Sequence, residues 1–126
     1  MSPDKYLAVM KKLMVDHPTL NMQGYRTHGN GFQLDRAGLL DPKNAKAFEA
    51  CLEYFELVSP HFTEPEWCNE FSLRIAERAG LKYVPFGIVY AAALYMGCQI
   101  GEGGTKYVNN RKIIPLGMTY ASSEHR

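Results

Sequence analysis

The stretch Pro85-Phe86-Gly87-Ile88-Val89-Tyr90-Ala91-Ala92-Ala93-Leu94-Tyr95-Met96-Gly97 decides the fold. Proline suits the first position of a helix. Ile88, Val89, Ala91, Ala92, Ala93, Leu94 and Met96 then make the helix apolar nearly all round. A helix with no polar face belongs in a core or in a membrane. The surrounding nineteen residues, 83 to 101, carry no charge. A spanning helix needs about 20 predominantly apolar residues. This run is interrupted by Pro85, Gly87, Gly97 and Gln99, holds two mid-run tyrosines, and is rich in Ala rather than Leu. It reads as the central helix of a soluble core, with Ala permitting close approach of its neighbours.

Working outward, Thr63-Glu64-Pro65-Glu66 matches a capping box. The helix it opens runs to Ala79, with Trp67, Phe71, Ile75 and Ala79 pointing inward and Glu70 and Arg74 paired outside. Gly80 stops it. Leu81 to Val84 is a short extended connector. At the other end of the chain, Ser2, Pro3 and Asp4 open a helix over Pro3 to Asp16. Its apolar stripe is Tyr6, Leu7, Met10, Leu13 and Met14. Asp41-Pro42 opens another, with Ala45, Phe48, Leu52 and Phe55 inward, Cys51 beside them, and Glu49, Glu53 and Glu56 opposite. It ends before Pro60.

Two segments lose the helical period. Tyr25 to His28 and Phe32 to Leu34 flank Gly29-Asn30-Gly31, which predicts a hairpin. Thr105 to Val108 and Lys112 to Ile114 flank Asn109-Asn110, which predicts a second. The expected fold is α+β: about four helices around an Ala-rich buried central helix, with one or two short β-hairpins, in a single domain over 1–126.

Composition agrees with a folded domain, at 46% hydrophobic and 21% charged residues. The net charge of +1 gives no bulk support to a nucleic-acid module. The charge is uneven, however. From Arg78 onward there are six basic residues (Arg78, Lys82, Lys106, Arg111, Lys112, Arg126) against Glu102 and Glu124. The three cysteines (Cys51, Cys68, Cys98) are odd in number and lack CxxC spacing. They suggest a reducing cytoplasm without disulfides. The N-terminus has no signal-peptide pattern.

Catalytic motifs are weak. His17, His28, His61 and His125 have no ligand spacing and read as solvent-facing loop residues, so no metal or other cofactor is expected. Cys98 lies toward a helix C-terminus, the wrong end to activate a thiol. Gly101 to Lys106 lacks the order and flanking elements of a phosphate loop. The pairs Glu49/Glu53 and Glu66/Glu70 fall on polar faces.

Two binding signals remain. Arg74, Arg78, Lys82, Lys106, Arg111 and Lys112, if they converge near Tyr83 and Tyr107, form a phosphate-tracking surface. The helix 63–79 and the helix from Pro85 also have helix-turn-helix spacing, but the second offers no polar residues to base edges. Tyr25 and Arg26, with His28 and Phe32, place typical interface anchors on a Gly-rich segment.

Arg74-Ile75-Ala76-Glu77-Arg78, Tyr83-Val84-Pro85-Phe86-Gly87, Ala91-Ala92-Ala93-Leu94 and Gly97 together resemble a pattern in small uncharacterised proteins encoded by bacteriophages, prophages and plasmids of proteobacteria. That pattern reads His-x-Ala-Glu, then Tyr-Val/Ile-Ser-Asn-Gly, then Ala-Ala and Gly-aromatic. Here Arg74 replaces the His, Pro85-Phe86 the Ser-Asn, and Cys98 the aromatic. The resemblance covers 74–97 and implies a mobile-element setting, in which small accessory proteins bind and inhibit host defence machinery, CRISPR effectors included. The expectation is a non-catalytic, cytoplasmic binding protein that docks on a larger host protein or ribonucleoprotein complex. The alternative is a small nucleic-acid-binding module using the basic C-terminal third. A small enzyme is the third class.

Overall fold

The computed structural model describes residues 1–26, 31, 33–57, 65–100, 106–109 and 112–115. Among the described residues there are four α-helices, α1 (Pro3–Asp16), α2 (Ala45–Leu57), α3 (Pro65–Ala79) and α4 (Phe86–Tyr95), and five short strands. The strands are β1 (Leu20–Asn21), β2 (Gly24–Tyr25), β3 (Cys98–Ile100), β4 (Lys106–Asn109) and β5 (Lys112–Pro115). The fold is α+β, as the sequence predicts.

Helix α4 is the centre. Every residue from Gly87 to Leu94 is buried, and α1, α2, α3 and the β1–β2 hairpin all pack on it. At 10 residues it is about 15 Å long, half the hydrocarbon thickness of a bilayer. Among the described residues no helix is long and apolar enough to cross a membrane.

The first helix has the predicted bounds. Ser2 Oγ accepts the Lys5 N–H at 3.2 Å, and Pro3 takes the first turn. Tyr6, Met10 and Leu13 are buried, while Leu7 and Met14 are half-buried at the stripe's edge. Tyr6 donates its hydroxyl to the Leu39 carbonyl at 2.6 Å and meets Phe48 edge-on. Burial holds its pKa well above that of a free phenol. Asp41 and Pro42 open a 3-10 turn (Pro42–Asn44) that runs into α2. Cys51 and Tyr54 lie wholly inward there and Leu52 only half so, a small rotation of the predicted stripe. Tyr54, Phe55 and Phe71 form an edge-to-face cluster between α2 and α3. Gly80 ends α3 at φ +70 and Gly97 ends α4 at φ +96, conformations that cost a side-chain-bearing residue about 1 kcal/mol or more.

The first hairpin is one the sequence did not signal. Residues 27–30 and 32, where the Gly29-Asn30-Gly31 turn was expected, lie outside the described residues. The paired strands are earlier: Leu20 faces Tyr25 and Asn21 faces Gly24. The turn is Met22-Gln23, and a side chain makes it. Asn21 Oδ1 accepts the Gln23 N–H at 3.0 Å, while Nδ2 donates to the Thr19 and Arg26 carbonyls at 2.9 and 3.0 Å. This is an Asx turn, made by a side chain without glycine at its centre.

The second hairpin is present, with Asn109 opposite Lys112, and β3 adds a third antiparallel strand in the order β3-β4-β5. Cys98 therefore opens a strand instead of trailing a helix, because Gly97 turns the chain.

Candidate functional site

Backbone hydrogen bonds hold the hairpin turn against the start of α4. Gly87 N–H donates to the Met22 carbonyl at 3.0 Å, and Met22 N–H donates to the Asp35 carbonyl at 2.7 Å. Asp35 N–H donates to Gln23 Oε1 at 2.8 Å, and Asp35 Oδ1 accepts the Gly38 N–H at 2.8 Å. On the other side, Ser72 Oγ of α3 donates to the Val84 carbonyl at 2.5 Å, fixing the connector. Val84 is fully buried, which leaves its neighbour Tyr83 turned outward and 63% exposed.

These anchored segments border an open cleft of about 330 Å³. Met22, Gln23 and Arg26 from the hairpin region line it together with Asp35, Tyr83, Pro85 and Phe86. It is an aromatic and thioether surface with one guanidinium and one carboxylate, built on segments that these hydrogen bonds tie to the core.

Compared with known proteins, the chain matches no family model, no curated protein and no solved structure.

The predicted site residues divide into groups. Arg26 lines the cleft. Tyr25, one residue earlier, is half-buried: its ring packs on Tyr90 and its hydroxyl lies 3.1 Å from His17 Nδ1. Arg74, Arg78 and Lys82 are exposed. Arg74 donates to Glu70 Oε2 at 3.1 Å, and that hydrogen bond is the largest cause of its raised pKa. Its charge is thus already shared within the molecule. Lys106 stands opposite Pro115 and Lys112 opposite Asn109, at the two ends of one ladder, roughly 10 Å apart by strand rise. Arg111 lies outside the described residues. The ladder register does not bring its two lysines together, and among the described residues the cleft gathers Arg26 and Tyr83 instead. The helix-turn-helix reading fails on burial, since α4 has no face to offer a groove.

Met22, Asp35 and Phe86 were not singled out by the sequence. Nothing local marks them, because long-range backbone bonds bring them to one place.

His17 corrects another expectation. It is half-buried between α1 and the hairpin, with its ring edge-on to Tyr25. Burial lowers its pKa, and the Asp16 charge opposes that only in part. The folded state therefore binds its proton less readily than the unfolded chain. Stability falls as the pH drops below about 6.5 and levels off below the folded value. Urea midpoints at pH 7.5 and pH 5 test this. His17→Gln is expected to show a smaller drop than the wild type, and an equal drop would show the imidazole uncoupled from folding. Cys51, fully buried, has its thiol pushed up to about 12 by burial and is a packing residue, not a nucleophile. Among the described residues, no group of three or more His, Cys, Asp or Glu side chains could hold a metal.

Proposed function

We propose that this is a non-catalytic binding protein that docks on a larger protein partner through the cleft. The observation that carries the reading is Tyr83, held 63% exposed beside a fully buried Val84, on the rim of a cleft shared with Arg26, Met22 and Phe86. Arg, Met and aromatic residues are the types enriched at protein interfaces, and Tyr and Arg dominate their hot spots. Rigid support lowers the ordering cost on association. The concrete form of the reading is a mobile-element inhibitor of host defence, of the anti-CRISPR kind, acting in the cytoplasm on a protein or ribonucleoprotein complex. The resemblance over 74–97 is its support.

A second reading, nucleic-acid binding, draws on the exposure of Arg78, Lys82 and Tyr83 near one end of α3. Affinity capture from a bacterial lysate, with and without nuclease, separates the two. The docking reading expects one dominant protein that survives nuclease and is lost with Tyr83→Ala or Arg26→Ala, while both variants keep the wild-type circular dichroism and melting temperature. Capture that collapses with nuclease supports the second reading. Capture indifferent to both substitutions overturns the cleft as the docking surface.

A further inference from the structure

We infer that His17 is an acid-sensitive latch on the β1–β2 hairpin: the uncharged imidazole holds Tyr25, and through it the hairpin, against α4, and protonation releases the hairpin that lines the cleft. The device is a cluster of groups where α1 meets the hairpin. His17 caps the C-terminus of α1 and is half-buried. Its ring meets Tyr25 edge-on with centroids 5.9 Å apart, and its Nδ1 lies 3.1 Å from the Tyr25 hydroxyl. The Tyr25 ring packs in turn on Tyr90 of α4, with centroids 6.3 Å apart. Three rings therefore link the end of α1, through β2, to the central helix. The turn of this hairpin is Met22-Gln23, which lines the cleft.

The groups around the ring disfavour a charge on it. From its own helix comes Asp16, whose carboxylate is already ion-paired with Lys12 at 3.5 Å. From the hairpin comes the Tyr25 hydroxyl. From the segment before the 3-10 turn Ala37–Leu40 comes Arg36, whose guanidinium bonds the His17 carbonyl at 3.2 Å. The negative end of the α1 dipole, which would otherwise favour an imidazolium, is thus already met by a cation. Burial opposes charging of the ring, and Asp16 counters it only in part. The Tyr25 hydroxyl can accept from an imidazolium as well as donate to a neutral ring, so the hydrogen bond itself does not drive release. The drive is return of the new charge to water, away from Arg36. Below about pH 6.5 a freed imidazole takes up a proton that the seated one resists. Opening then becomes easier, by about tenfold per unit of difference between the two pKa values, and levels off once the seated ring titrates as well.

The test is amide hydrogen exchange of the whole protein at pH 7.5 and pH 5, corrected for intrinsic rates, with the His17 ring titrated by NMR in parallel. The amides of Met22, Arg26 and Gly87 report on the hairpin, because they bond the carbonyls of Asp35, Thr19 and Met22. They are expected to exchange through an easier opening than the interior of α4. At pH 5 they should lose protection, by a factor that matches the titrated shift of the ring, and in His17→Gln they should keep it. The Leu81 amide, bonded to the Ala76 carbonyl at the end of α3, is the control and should keep its protection. Hairpin amides that exchange only together with α4, unchanged protection at pH 5, the same loss in His17→Gln, or a ring that titrates at or above about 6.5 overturns the inference. Control of docking by the latch rests on the docking reading. Lysate capture should weaken at pH 5 for the wild type and hold for His17→Gln, and equal weakening overturns that control. If capture ignores Tyr83 and Arg26 at both pH values, the docking reading falls, while exchange alone decides the latch.

Discussion

Gly87→Ala is expected to destabilise the protein by about 2–4 kcal/mol, a large share of the roughly 5–15 kcal/mol available to a domain. The reason is proximity of backbone to backbone. A Cβ on Gly87 would sit 2.8 Å from the Asn21 carbonyl carbon and 2.9 Å from Met22 Cα, and closer still to the Asn21 oxygen. None of those atoms is the end of a flexible side chain, so the hairpin would have to lift off α4. Overpacking costs about 1–3 kcal/mol, and the lifted hairpin also loses the Gly87-to-Met22 hydrogen bond, adding about 1 kcal/mol. Gly80→Ala is the control. Gly80 has φ +70 but nothing within 4 Å of an added Cβ, so it reports backbone strain without collision, at about 1–2 kcal/mol. Urea denaturation of both variants measures the difference. A Gly87→Ala protein within 1 kcal/mol of wild type would mean that the hairpin is not seated on α4 in this way. Because the hairpin carries Met22, Gln23 and Arg26, the same substitution should also disable the cleft.

This glycine shows where the sequence is readable and where it is not. The resemblance over 74–97 includes Gly87, but pattern alone cannot separate a turn glycine from one that admits a neighbouring strand. Burial of α4 was legible because an apolar run broken by Pro85, Gly87 and Gly97 and rich in Ala suits a protein core better than a bilayer. The bounds of α1 were legible because its cap, proline and stripe are all local. The β1–β2 hairpin was missed for the converse reason. Gly29-Asn30-Gly31 is a strong local turn signal, whereas the Met22-Gln23 turn depends on the Asn21 side chain bonding both forward and back along the chain. The cleft was half legible. Arg26 and Tyr83 stood out by residue type, but their meeting across the start of α4 is a tertiary fact. Asp35 and Phe86 carry no local signal.

Arg36 is the strongest case of a residue invisible to pattern, and Arg36→Ala is expected to cost about 2–4 kcal/mol. One guanidinium nitrogen donates to the carbonyls of His17, Pro18 and Leu20 at 3.2, 2.8 and 2.6 Å, and the other to Met14 at 2.9 Å. The last turn of α1 contains no basic residue of its own. Its open carbonyls, and the negative end of its dipole, are instead met by a cation from 22 positions downstream of Met14. Hydrogen bonds from a charged donor contribute about 1.5–3 kcal/mol each when buried. Arg36 is half-exposed, so water recovers part of that on truncation, which sets the expected total well below the sum. Arg36→Lys decides what kind of interaction this is. An ammonium restores the charge but not a planar fork that spans four carbonyls, so the lysine variant should recover less than half of the loss. Full recovery would make the contribution one of charge at a helix end, indifferent to geometry. Amide hydrogen exchange gives a second readout: Leu20 and Arg26 should lose protection in both variants, because the guanidinium bonds the carbonyl of Leu20 and the hairpin leaves α1 through that residue. The same fork therefore fixes the entry of the segment that presents Arg26 to the cleft, and a substitution that never touches a partner should weaken docking through it.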